Sequence, residues 1–276
     1  MLRLGSINLE CPAVMGILNV TPDSFSDGGR FTALSAALPH AERMVSEGAA
    51  IIDVGGESTR PGADGVSVQQ EIDRVVPVIE ALRDTVDVPV SVDSSKPGVM
   101  RAAAAAGAAM INDIRALRSE GALATAVELQ LPVCLMHMQG QPRTMQQDPH
   151  YDDVVGEVTE FLSDRVKQCV QAGLHRDLII IDPGFGFGKT PQDNIELLAN
   201  LRQLQDIGVP ILIGVSRKST LGVICNRDVD GRLSASLSAA VLAIERGANI
   251  VRAHDVAETI DALRMAQAVI ESDKSK

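Results

Sequence analysis

"IIIDPGFGFGKT", residues 179–190, joins an unbroken apolar run to a glycine-rich segment that closes on Lys189 and Thr190. Two nucleotide-binding patterns look similar, and either would imply an open α/β sheet. A phosphate loop requires G-x-x-x-x-G-K-[ST]. Counted back from Gly188, Lys189 and Thr190, its first glycine would fall at Pro183. A dinucleotide fingerprint starting at Gly184 and Gly186 would need glycine where Lys189 stands. Both patterns fail. What remains is a strand without polar alternation that ends in Asp182, followed by a loop carrying Phe185 and Phe187. In a chain so poor in aromatics these rings suit a core. On a rim loop they suit stacking against a planar ligand, a reading that favours Phe187 over Phe185.

The same kind of run recurs along the chain. "VMGILNV" (14–20), "AIIDVGG" (50–56), "VPVSVDS" (88–94), "AMINDI" (109–114) and "PVCLMHM" (132–138) precede it. "VPILIGVS" (209–216) and "NIVRAHD" (249–255) follow it. Strands that are apolar throughout belong to a parallel sheet covered on both faces. Helical patterns fill the intervals, for example 69–86 and 152–173, and Gly107, Gly173, Gly208 and Gly247 sit where helices end before strands. Eight strand–helix units in roughly 250 residues predict a (β/α)8 barrel, the TIM-barrel architecture, as a single domain over residues 1–276. A doubly wound open sheet is the alternative.

Composition narrows the function. The net charge of −11 opposes binding to a phosphate backbone, so nucleic acid is not expected as a partner. Cys11, Cys134, Cys169 and Cys225 are scattered, which predicts reduced thiols and a cytoplasmic setting. The opening "LRLGSINLECP" lacks the apolar stretch of a signal peptide, and no apolar run is long enough to predict a membrane span. The histidines show no metal-binding spacing with each other or with cysteine, and G-x-S-x-G is absent, which disfavours a zinc site and a serine hydrolase.

In a barrel the chemistry lies at the C-terminal ends of the strands. Here those ends carry Asn19, Asp93, Asn112 with Asp113, Met136 with His137, Asp182, Ser216 to Lys218, and Arg252 with His254 and Asp255. Asp113 and Ser216 read equally well as helix caps. Arg252 lies inside an apolar strand, where an unpaired charge is costly, and points to function. Arg252 and His254 share one side of their strand, and with Arg217, Lys218 and Arg60 they suit a phosphate or diphosphate at the ends of strands seven and eight. The carbonyl oxygen of Asn19 suits a hard cation such as Mg²⁺. Asp93, Asn112 and Asp182 suit a flat heterocycle with several N–H donors.

The motifs "MGILNVTPDSFSDGG", "DVGGESTRPGA", "SVDSSKP", "INDIRAL", "LMHMQGQPRTMQ", "DPGFGFGKT", "GVSRKS" and "RAHDV" run through nearly the whole chain in order. In them the chain resembles the bacterial dihydropteroate synthases. The resemblance implies a barrel, usually dimeric, that joins 6-hydroxymethyl-7,8-dihydropterin diphosphate to 4-aminobenzoate with loss of pyrophosphate. It implies that Asp93, Asn112, Met136, Asp182, Gly214 and Lys218 hold the pterin. Asn19, with Mg²⁺, and Thr59, Arg60, Arg252 and His254 would hold the pyrophosphate. Thr59, Pro61, Phe187, Lys218 and Ser219 would surround the aminobenzoate, and Asp93, Asp182 and Lys218 would carry the catalysis. The loops at 21–29 and 58–63 would close over the site.

Departures from the family pattern are small: Thr220 replaces a larger apolar residue common there, Ala235 a common glycine, and Ala253 lies between Arg252 and His254. Two rivals use the same pterin pocket. A pterin-dependent methyltransferase should lack "TPDSFSDGG" and "SRKS". A catalytically silent paralogue should have lost loop or cation residues such as Asn19, Arg60, Lys218, Arg252 or His254.

Overall fold

The computed structural model describes residues 1–21, 30–58 and 65–274. A short antiparallel hairpin, β1 (Leu2–Leu4) and β2 (Ile7–Leu9), precedes the barrel strands. Those strands are β3 (Ala13–Asn19), β4 (Ile51–Gly55), β5 (Val90–Asp93), β6 (Met110–Asp113), β7 (Val133–Met136), β8 (Ile179–Asp182), β9 (Leu212–Ile213) and β10 (Ile250–Ala253). All neighbouring pairs from β8 through β3 to β10 and β9 are parallel. The ring closes where the Ile181 N–H donates to the Pro210 carbonyl at 2.9 Å, beside a parallel bridge between Ile181 and Ile211. The open-sheet alternative is therefore excluded, and the eight-stranded barrel expected from the apolar runs is present.

The helices are α1 (Arg30–Ser46), α2 (Val68–Thr85), α3 (Pro97–Ala106), α4 (Ala122–Leu129), α5 (Val154–Gln171), α6 (Pro191–Ala199), α7 (Ser219–Cys225), α8 (Leu233–Glu245) and α9 (Val256–Lys274). Their ends follow local chemistry. Ser67 and Gln70 form a capping box at α2, and Thr190 and Asp193 form one at α6. Asp153 accepts from the Gly156 N–H to start α5. Gly107 closes α3 with φ of 116°, the left-handed conformation expected of it. None of the described helices is long and apolar enough to cross a membrane.

Two apolar layers result. The outer one packs the helices on the sheet. The inner one fills the barrel with Met15, Ile51, Met110, Cys134, Ile180, Leu212 and Ile250, and the hairpin adds Leu4, Ile7 and Leu9 to the same cluster. This hairpin is not apparent from the sequence patterns. Its three apolar side chains are nearly fully buried, and burial of each contributes roughly 2 kcal/mol. The hairpin thus seals the N-terminal mouth of the barrel and leaves the opposite mouth for chemistry.

Candidate active site

Strand side chains alternate between the two faces of a sheet. Two residues on from the inner apolar layer, each strand presents the next inward position. From β3 to β10 these positions are Ile17, Asp53, Asp93, Asn112, Met136, Asp182, Gly214 and Arg252. Five of them are ionisable or hydrogen-bonding side chains, so the barrel interior changes from apolar to polar within one layer. One further step up β3 and β10 come Asn19 and His254.

Arg252 organises this layer. Its Nε donates to Asp53 Oδ2 at 2.7 Å and its Nη2 to Asp93 Oδ2 at 2.9 Å. The Asn112 amide donates to the same Asp53 oxygen at 2.9 Å. The other oxygen of Asp53 is buried without a partner. The buried Arg252 charge thus meets two carboxylates, which resolves the anomaly its sequence position raises. Asp53 joins this polar layer without being marked among the strand-end residues of the sequence. A carboxylate inside the apolar run "AIIDVGG" is the same signal that marks Arg252, and attention to strand ends misses it.

Burial pushes the Asp93 carboxyl up to about 7, with Arg252 opposing the rise. Burial likewise pushes Asp182 up to about 6, against the Gly184 N–H that donates to it at 2.7 Å and the positive charge of Lys218. Lys218 is brought down to about 8 by burial, with Asp182 as the main opposing charge. His254 is lowered to about 4 by burial, then by Arg252 and Arg217. Ionisable groups shifted in this way and gathered at one barrel mouth are the mark of a functional site.

The glycine-rich loop after β8 lines one side. Lys189 is almost fully buried; its Nζ donates to the Gly184 carbonyl at 3.0 Å and the Phe187 carbonyl at 3.1 Å and lies 2.9 Å from His137 Nδ1. The lysine that imitates a nucleotide loop is an internal latch. Gly184 has φ of 70°, and a Cβ there would lie 1.8 Å from the His137 carbonyl oxygen, so no other residue fits this conformation. Phe185 is core. Phe187 is half-buried beside Met136, Met138 and Met145, with Lys218 Nζ 3.9 Å from its ring centroid. Of the two rings, Phe185 is the one in the core and Phe187 the one at the rim.

Other expectations divide. Asp113 caps no helix, since α4 starts behind Gly121; instead it braces the turn after β6, accepting from Ser95 and from the N–H groups of Arg115 and Leu117, both at 2.8 Å. Arg217 is engaged by Asp255 and lies outside the central cluster. Ser219 opens α7, next to Lys218, and is exposed. The Asn19 amide oxygen stands 3.4 Å from where a Gly55 Cβ would lie, and Asp93 Oδ2 stands 3.7 Å from the same point. Thr59, Arg60, Pro61 and the stretch 22–29 fall outside the described residues.

For a metal, no cluster of three or more His, Cys, Asp or Glu side chains exists among the described residues. The hard carbonyl oxygen of Asn19, on the same barrel mouth as Asp93, is of the kind that suits an ion such as Mg²⁺, which takes few protein ligands.

The family profile of the pterin binding enzymes matches residues 15–254. The dihydropteroate synthase of Haemophilus influenzae is 55% identical over 262 residues, 95% of each chain. The chain belongs to the dihydropteroate synthase family of pterin-binding enzymes. Solved dihydropteroate synthases share its fold. That of Yersinia pestis, in complex with a sulfonamide drug, superposes with a TM-score of 0.93 at 50% identity, over 98% of this chain and 99% of that one. That of Xanthomonas albilineans, in complex with 7,8-dihydropteroate, gives 0.86 at 49% identity over 95% of each. The dihydropteroate synthase motifs "SVDSSKP", "INDIRAL", "DPGFGFGKT" and "RAHDV" supply Asp93, Asn112, Asp182 and Arg252 to the polar layer.

Proposed function

We propose that this chain condenses 6-hydroxymethyl-7,8-dihydropterin diphosphate with 4-aminobenzoate, forming 7,8-dihydropteroate and pyrophosphate, by dissociative departure of the diphosphate. The observation that carries this reading is the polar layer itself. Carboxylates and an amide that suit a flat, N–H-rich ring lie beside cations that suit a diphosphate, within one barrel mouth.

In this scheme Asp53, Asp93, Asn112 and Asp182 bind the edges of the pterin, with the open Asp53 oxygen taking a ring N–H. Met136 packs on the ring face, and Gly214 leaves room beside it. Lys218 donates to a ring acceptor while its stem and charge lie over Phe187. Arg252 and His254, with Thr59 and Arg60, grip the diphosphate. Mg²⁺ held at Asn19 would add charge neutralisation of the leaving group. The bond from the methylene carbon to the bridging oxygen breaks, and its electron pair leaves with the diphosphate. The cation left behind is delocalised into the electron-rich dihydropterin and stabilised by Asp93 and Asp182. The neutral arylamine then attacks the methylene carbon through its lone pair and loses its extra proton to solvent. No strong base is required. Thr59, Pro61, Phe187, Lys218 and Ser219 surround the aminobenzoate, the same place where a sulfonamide would compete. Closure of loops 21–29 and 58–63 would keep water from the cation.

The charge states predict a bell-shaped pH dependence. kcat/KM for the pterin diphosphate reports the free enzyme. It should rise as Asp182 and Asp93 lose their protons, at about 6 and about 7, and fall as Lys218 loses its own at about 8. The limbs belong to the interacting cluster rather than to single residues. Lys218→Arg should remove the falling limb, because guanidinium keeps its proton. A profile with neither limb would contradict these assignments.

The dimeric state rests on a separate observation. Val223 and Ile224 on α7, Leu242 on α8, and Met265 and Val269 on α9 are exposed, and these helices are neighbours in the ring. A second copy of the chain is the proposed occupant of this face. Sedimentation at twice the chain mass is expected, and a monomer at micromolar concentration would refute it.

A further inference from the structure

The turn after β9 carries Ser216, Arg217 and Lys218. It is held tightly against the end of β10. Arg217 adopts φ of 56°, a strained value for a side-chain-bearing residue. Its N–H donates to Ser236 Oγ at 2.9 Å, its carbonyl accepts from Arg232 at 3.1 Å, and its guanidinium pairs with Asp255. Ser216 is nearly buried within this brace. Its hydroxyl oxygen accepts the backbone N–H of His254 at 3.2 Å and lies 3.0 Å from Nδ1 of the His254 ring.

That pair of contacts determines where the protons go. A serine hydroxyl has one proton to donate. Among the described residues, the only acceptor in reach of the Ser216 hydroxyl is His254 Nδ1. If Nδ1 carried a proton instead, it and the His254 backbone N–H would both point at Oγ. The hydroxyl proton would then be left nearly buried without an acceptor, an arrangement that folded proteins avoid. Arg252, Arg217 and Lys218 face the ring against Asp255, so a second proton on the imidazole is also disfavoured.

We infer that Ser216 is a positioning residue that fixes His254 as the neutral tautomer with its proton on Nε2, so that the ring meets the leaving diphosphate as a directed hydrogen-bond donor rather than as a cation. This rests on the synthase reading for the identity of the anion. The tautomer itself does not. Such a donor adds no charge to a mouth that already holds Arg252 and Lys218. It needs no reorganisation when the bridging bond breaks.

The test uses the full chain labelled with ¹⁵N at histidine, and His254 is assigned by comparison with His254→Asn. At neutral pH without substrate, His254 Nδ1 should resonate in the unprotonated range and Nε2 in the protonated range. Ser216→Ala should shift both toward the average of a tautomer mixture, and Ser216→Thr, which keeps the hydroxyl, should restore them. A ring with its proton on Nδ1, or one unchanged in Ser216→Ala, would overturn the assignment. In pyrophosphate release, Ser216→Ala should lower kcat/KM for the pterin diphosphate about tenfold, the effect of one lost neutral hydrogen bond, with Ser216→Thr near wild type. A shifted tautomer with unchanged kcat/KM would overturn the positioning role and leave the synthase reading intact. A wild-type chain that releases no pyrophosphate would overturn the role in catalysis together with the synthase reading, while the tautomer stands on the spectrum alone.

Discussion

Arg252→Met should be the most damaging single substitution in the barrel interior, costing the folded chain about 3–5 kcal/mol. Methionine keeps the length and the packing of the stem. It removes the group that bonds Asp53 and Asp93 from a side chain only 19% exposed, and leaves those two carboxylates in the interior without their cation. The loss should depend on pH in a definite direction. Asp93 already titrates at about 7 because burial outweighs Arg252, and without Arg252 it should titrate higher still. A carboxyl whose folded pKa lies above its unfolded value, about 3.9, contributes stability that is complete below that value and is lost as pH rises through the folded one. The gap between wild type and variant should therefore be wide at pH 8 and narrow toward pH 5. Denaturant unfolding at the two pH values measures it, and equal stability at pH 8 would contradict the picture of Arg252 as the central cation. Activity should fall about 1000-fold, since diphosphate charge is stabilised by the same group.

Asp182→Asn isolates charge from shape. The amide is isosteric, and its oxygen can still accept the Gly184 N–H that Asp182 accepts at 2.7 Å, so the loop should stay in place. What disappears is a buried negative charge beside the developing pterin cation and opposite Lys218. We expect kcat to fall about 100- to 1000-fold, the range for removal of one electrostatic stabiliser, with a smaller effect on binding. Asp182 is the main group holding the Lys218 proton on against burial. The falling limb of the pH profile should therefore move below about 8 in the variant. Full turnover by Asp182→Asn would remove the electrostatic account of the cation, and an unmoved limb would separate Lys218 from Asp182.

Much of this was readable from residues alone, for physical reasons. Parallel strands covered on both faces have no polar alternation, so a charge within one is conspicuous, and Arg252 stands out for that reason. Asp53 carries the same signal but sits mid-strand, one layer below the rim that barrel chemistry draws attention to. The N-terminal hairpin was not legible because strands of three residues have too short a period to detect. Lys189 is ambiguous in sequence: a lysine after a glycine loop can face a phosphate or turn inward, and only the positions of His137 and two carbonyls decide it. Asp113 and Ser216 each suit a cap or a site. The fold makes the first a brace for the turn after β6 and sets the second against a histidine. Phe185 and Phe187 are two residues apart, yet one is core and the other rim. That difference arises in a loop of left-handed glycines whose course no periodicity predicts.

On the proposed function, the polar layer of the barrel carries out a substitution at the methylene carbon of a dihydropterin diphosphate. The most direct test is to incubate the purified chain with that substrate and Mg²⁺, with and without 4-aminobenzoate, and to follow pyrophosphate and 7,8-dihydropteroate together. Pteroate in equal amount to pyrophosphate is expected when both substrates are present, with loss of both products in Lys218→Ala. Tight binding of the pterin with neither product formed would contradict that function.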